Sequence, residues 1–171
     1  MGESMSLSAL ISRLARLLAG GGPLSPGDVA ALRRMHPARP APAFFKIEGL
    51  VLDDQLPGDA TALAEAETRW AAIIVGLVHL GPLHQSRHRF GRALVDAQYS
   101  ELRFTRLVRG DADRLAGDLP MLARFLAAKG TPVDWTGAAH LILSAGRSDE
   151  EQVRRQIARD YYGSLSRLES R

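Results

Sequence analysis

The chain has no cysteine in 171 residues. That excludes a disulfide framework, a thiolate nucleophile and any cysteine-based zinc site, and it suits a reducing cytoplasm. Lysine is nearly missing too: only Lys46 and Lys129 occur, against twenty arginines. Aromatic residues make up 6% of the chain, so a core must rest mainly on aliphatic side chains. No apolar run reaches the roughly 20 residues of a membrane span. Trp70–Leu80 comes nearest and is too short. The N-terminus does not read as a secretory signal, because Glu3 stands where a basic region is needed and Arg13 and Arg16 interrupt the apolar run. Strand patterns are lacking as well, since the β-branched runs are short and sit inside helical periodicities.

Local catalytic motifs are also missing. There is no G-x-S-x-G elbow, glycine-rich dinucleotide loop, Walker motif or zinc spacing. Gly20-Gly21-Gly22-Pro23 has neither a strand before it nor a Lys-Ser/Thr after it, so it reads as a helix terminator. The carboxylates Asp53-Asp54, Asp111/Asp113 and Asp149-Glu150-Glu151 fall at loops or helix starts, where capping and the helix dipole account for them. His84 and His88 are four apart, but no third ligand is near and Arg87 and Arg89 repel a cation. His84–Arg89 reads as a flexible basic loop. Neither a metal nor a cofactor is expected, and the chain is not expected to be an enzyme.

What remains is helix after helix. Ser6–Ala19 is amphipathic, with Leu7, Leu10, Ile11, Leu14, Leu17 and Leu18 on one face. Ser25-Pro26-Gly27-Asp28 restarts the chain with an N-cap, a first-turn proline and an acidic third position. After a proline-rich loop at His36–Pro42, Phe44–Leu52 makes a short apolar helix, and Asp53–Asp59 is a loop. The helix Thr61–Leu80 is apolar nearly all round from Trp70 onward, so other helices must surround it. Gly81-Pro82 ends it. Asp113–Ala128 carries Pro120 in its middle and is either kinked or split. Asp134 caps a helix beginning near Trp135, which reads as a packing residue. Ser148 and Glu151 suggest a capping box for the last helix, whose tail Gly163–Arg171 is expected to fray. The fold class is all-α, a compact bundle of about eight or nine helices. It divides either as an N-terminal half, 1–83, and a basic C-terminal half, 84–171, or forms one compact domain.

Charge follows that division. The net charge is +3 overall, but up to Gln85 there are seven Lys/Arg against eight Asp/Glu, and from Ser86 fifteen against eleven. A GC-rich genome would enrich arginine without functional meaning, so placement carries more than abundance. The stretch Gly91–Arg109 is the focus. After the N-cap Ser100, Phe104, Leu107 and Val108 mark a buried face, while Arg103, Arg106 and Arg109 recur every third residue on the neighbouring face. Leu102 falls on the arginine side and needs another cover. In the last helix Val153, Ile157 and Tyr161 recur every fourth residue, with Arg155 and Arg159 on another face. Such stripes are commonly solvated surface whose long stems cover apolar area. Repeated, they also make phosphate-binding faces, since a guanidinium is always charged and grips phosphate in a fork. The candidates are Arg33, Arg34, Arg103, Arg106, Arg109, Arg124, Arg155 and Arg159. Arg103 has Glu101 or Asp96 as possible structural partners, and Arg159 has Asp160.

The segment Gly91-Arg92-Ala93-Leu94, followed by Tyr99-Ser100-Glu101-Leu102-Arg103-Phe104-Thr105-Arg106-Leu107-Val108-Arg109, resembles the signature of the CasB family, the small subunit of the type I-E CRISPR surveillance complex Cascade. Leu32-Arg33-Arg34, Pro42-Ala43-Phe44-Phe45, Val133-Asp134-Trp135 and the run Val153–Tyr162 also match in order and spacing. The resemblance implies an all-helical, non-catalytic subunit, present as two copies beside the other Cascade subunits, the guide RNA, the target DNA and the displaced strand. It implies that the subunit steadies the guide–target hybrid and that displaced strand. Two alternatives remain open: a protein-binding scaffold whose arginines meet acidic partner surfaces, and a helix-turn-helix regulator. The arginine helix lacks the Asn/Gln/Ser mix that reads bases, which argues against the regulator.

Overall fold

A computed structural model describes residues 5–171. Among these residues nine α-helices form: α1 Leu7–Leu18, α2 Pro26–Arg34, α3 Pro42–Ile47, α4 Ala60–Leu80, α5 Phe90–Asp96, α6 Glu101–Val108, α7 Ala112–Lys129, α8 Thr136–Ser144 and α9 Glu150–Glu169. They make no sheet, and none is long and apolar enough to cross a membrane.

Side chains start many of these helices, as the sequence predicts at Ser25 and Ser100. Ser6, Asp59, Ser100 and Asp111 each accept a first-turn backbone N–H. At α2, Ser25 and Asp28 satisfy each other's backbone reciprocally, a full capping box. Such a cap stabilises a helix by about 1 kcal/mol.

α4 is the axis of the core. Every residue from Trp70 to Val78 is buried, because α1, α2, α7 and α8 pack around it. Gly76 allows the closest of these approaches, where a Cβ would sit 2.4 Å from the Trp135 ring. Trp135 is fully buried, and its indole N–H donates to the Ile73 carbonyl at 3.1 Å. It is therefore a packing residue. Arg69 does something no local pattern announces. Its guanidinium donates to the carbonyls of Ile142, Leu143 and Ala145, satisfying the open C-terminal end of α8.

Several expectations need correction. Of the two alternatives for Pro120, the split is excluded: α7 is one helix with Pro120 buried in the packed face. The Phe44–Leu52 helix is α3 continuing into a π-turn at Glu48–Leu52, and Asp53–Gln55 adds a 3-10 turn where a loop was expected. The capping box at Ser148 and Glu151 does not form, and the Glu150 carboxylate accepts the Gly146 N–H instead. The tail past Gly163 stays helical to Glu169, because Ser164 is buried and Leu165 packs on the core. The loop 84–88 is pinned, with Gln85 donating to the Val133 carbonyl at 3.0 Å and Asp134 to the His88 carbonyl at 2.6 Å. Leu102 gains no cover and is 62% exposed.

Candidate nucleic-acid interface

α5, α6 and α9 lock together around aromatic side chains. Gly91 in α5 lets α9 approach so closely that a Cβ there would lie 2.6 Å from the Ile157 carbonyl oxygen. Phe104 of α6 stacks on Tyr161 of α9, and the Tyr161 hydroxyl donates to the Tyr99 carbonyl at 2.8 Å. The residue before that turn, Gln98, has φ 60°, a left-handed conformation that breaks the chain between α5 and α6. With Phe104 and Leu107 buried inward, Arg103, Arg106 and Arg109 are left on the outside.

Arg103 pairs with neither Glu101 nor Asp96. Its guanidinium lies over the rings of Tyr99 and Phe125, 5.9 Å from each centroid, while Asp96 faces Arg92 at 3.6 Å. Those rings meet edge to face at 5.5 Å and form a platform between α6 and α7. Arg103 and Arg106 line one notch of 420 Å³ with Arg114, Asp118 and Met121. The one carboxylate there, Asp118, is taken by Arg114 at 3.3 Å. Arg103 and Arg106 thus have no carboxylate partner among the described residues, and the local charge is positive. Burial raises the Tyr99 phenol above its ordinary pKa, and Asp118 adds to that, so this ring stays neutral.

The other candidates are spread more widely. All eight are exposed. Arg33 and Arg34 end α2, where they also suit the negative end of its dipole. Arg124 on α7 donates through Nε to His79 at 3.3 Å. Burial, then the charges of Arg124 and Arg33, hold the His79 imidazole below its ordinary pKa, so Arg33 and Arg124 flank one neutral histidine. Arg155 pairs with Glu151 at 3.1 Å on an exposed face. Arg159 does not pair with Asp160, which instead meets Arg89 at 3.2 Å. Arg33, Arg34, Arg109, Arg124, Arg155 and Arg159 lie outside the α6–α7 notch. The sequence did not announce Tyr99 and Phe125 as the platform beneath Arg103, because one ring comes from the turn before α6 and the other from α7. Among the described residues, no group of three or more His, Asp or Glu could hold a metal ion.

Comparison with known proteins shows the family and the fold. Residues 28–162 match the family model of CRISPR-associated protein Cse2. The crystal structure of CasB from M. ruber is similar in fold, with a TM-score of 0.69 and 17% identity, covering 98% of both chains. No curated protein matches the chain.

Proposed function

The chain belongs to the CRISPR-associated Cse2 family, also called CasB, and is a subunit of a CRISPR Cascade complex; from there we propose that it acts as a non-catalytic clamp on nucleic-acid backbone. The observation that carries this is the α6–α7 notch, where Arg103 rests on an aromatic platform beside Arg106 and the one carboxylate, Asp118, is paired with Arg114. Guanidiniums held this way meet phosphate oxygens in pairs and displace condensed counterions, giving affinity without base readout. In a guide-directed complex that is sufficient. Base pairing reads sequence, and contacts to backbone tip a nearly balanced strand exchange toward the open R-loop.

On this account the subunit steadies the hybrid of guide RNA and target DNA and the displaced strand, in the cytoplasm, with a second copy of itself and the other Cascade subunits as partners. The basic half, 84–171, carries most of the contacts, and Arg33 and Arg34 extend them from the N-terminal half. Arg155 and Arg159 would add a second strip along α9, with Glu151 yielding Arg155 to the phosphate.

A protein-binding reading is favoured by one feature. Leu102 and Met121 are 62% and 59% exposed near Arg103, and arginine with apolar neighbours is also the makeup of protein interfaces. Reconstituted Cascade carrying Arg103→Ala and Arg106→Ala separates the two. The clamp account expects full assembly with weakened retention of target DNA. Loss of the subunit from the complex, with DNA retention normal in whatever assembles, supports the scaffold.

A further inference from the structure

A second and larger opening lies away from the α6–α7 notch. It measures 870 Å³ and sits between α1, α2, the C-terminal end of α4 and the loop 84–88. That is within the range of about 300–1,000 Å³ typical of small-molecule sites. Part of its wall is apolar, from Leu18, Val29, Leu77 and Val78, and part is hydrogen-bonding, from Ser12, Gln85 and Ser86. Its charged groups are all of one kind. Arg16 of α1, Arg33 of α2 and Arg87 of the loop line it with two histidines, and no Asp or Glu does. The chain as a whole has 19 acidic against 22 basic side chains, so this is a local selection of sign. None of the three arginines has a carboxylate partner among the described residues.

The loop that forms one side of the opening is built in place. Besides its backbone bonds to Val133 and Asp134, His84 accepts the Trp135 backbone N–H on Nδ1 at 3.2 Å. Burial holds that imidazole below its ordinary pKa. The neutral ring then keeps its proton on Nε2 as a donor. A short run of side chains lies between the opening and the notch. Arg33 lies beside His79, His79 accepts from Arg124, and Arg124 is three residues along α7 from Met121 of the notch.

An apolar wall, hydrogen-bonding edges and a cationic rim together suit an amphiphilic anion. We propose that this cavity is a subsite for one unstacked nucleotide of a single strand, with the base against the apolar wall and the phosphate held by Arg16, Arg33 and Arg87. The proposal rests on the backbone-clamp account for the strand's arrival, and it adds a preference for unpaired over duplex nucleic acid. A base held in a duplex stack cannot turn its face to this wall, whereas a splayed one can stack on guanidinium or imidazole planes and be hydrogen-bonded at its edges.

The full chain with labelled histidine rings, titrated with deoxyadenosine monophosphate and in parallel with deoxyribose 5-phosphate, tests it by NMR. The ring signals of His84 and His88 should move with the nucleotide. The base-free phosphate should bind at least about tenfold more weakly, as expected for loss of an apolar contact of that size. Arg87→Ala, on an exposed loop, should weaken nucleotide binding by about tenfold, the value of one charge-assisted contact. Arg103→Ala with Arg106→Ala should leave it unchanged. Equal binding of the base-free phosphate, no movement of either signal, or movement caused by a glutamate-rich peptide and not by the nucleotide would each overturn the subsite. Oligonucleotide binding lost with Arg103 and Arg106 would still stand in those cases, so the clamp account fails separately.

Discussion

The rings of Phe104 and Tyr161 lie face to face, 3.9 Å between centroids and 3° between planes. This contact ties the arginine-bearing helix α6 to α9, and the Tyr161 hydroxyl ties α9 to the turn before α6. The stripe is thus aimed by a buried aromatic joint. Tyr161→Phe keeps the stack and loses the bond to the Tyr99 carbonyl, which should cost about 1 kcal/mol in urea unfolding. Phe104→Ala should cost about 3–5 kcal/mol, since it removes a buried ring and leaves a cavity. If both variants unfolded like the parent chain, the joint would not hold the site.

Gly91 sets a helix spacing and Gly117 does not. At Gly91 an added Cβ meets backbone atoms of Ile157 and Tyr161 at 2.6 and 2.7 Å, which cannot rotate away. Gly91→Ala should therefore destabilise by about 3 kcal/mol, the upper end of ordinary overpacking. Gly117→Ala, where nothing lies within 4 Å of the new methyl, should be neutral or slightly stabilising. Thermal unfolding of the pair checks both signs. A stable Gly91→Ala would mean that α5 and α9 do not pack this closely.

Stability should depend on pH through two histidines. Burial lowers the pKa of His84, and burial together with Arg124 and Arg33 lowers that of His79. The folded state therefore binds fewer protons than the unfolded chain once pH falls below an ordinary imidazole value of about 6.5. The stabilisation is fully present above that value and is lost as pH falls toward the depressed folded values. Urea midpoints should be flat from pH 8 to 7 and decline below about 6.5. His84→Asn keeps an acceptor for the Trp135 N–H and should make the decline shallower. An unchanged profile in that variant would show that His84 does not contribute.

Arg69 offers a structural contrast to the surface arginines. It donates to three carbonyls closing α8, so Arg69→Ala leaves partly buried acceptors unmet. A loss of about 2–3 kcal/mol is expected, with the salt dependence of nucleic-acid binding unaltered. Lower stability without altered binding fits this role, and the reverse pattern would contradict it.

How much was legible in the sequence depends on the range of each interaction. The caps at Ser25 and Ser100 are local and could be read directly, as could the all-round burial from Trp70 to Val78. Of the two outcomes that Pro120 allows, a split is the one the structure excludes, because burial against neighbouring helices outweighs one missing hydrogen bond. The α9 tail was misjudged because Ser164 and Leu165 find cover that spacing alone does not show. Arg69 reaches carbonyls more than seventy residues away, and no local pattern encodes that. The arginine stripe of α6 was visible in its three-residue spacing. Its platform was not, since Tyr99 and Phe125 meet only when α6 and α7 fold together. Likewise Arg16, Arg33 and Arg87 converge on one cavity from segments that share no motif.

The backbone-clamp account is tested most directly by fluorescence anisotropy of labelled, unrelated oligonucleotides titrated with the chain across a range of salt. Sequence-independent binding that weakens steeply with salt is predicted. Arg103→Ala with Arg106→Ala should reduce the log–log slope by about 1.4 to 1.8, since each phosphate contact contributes about 0.7 to 0.9. Binding with an unchanged slope in that folded double variant, or no binding even at low salt, would contradict the account.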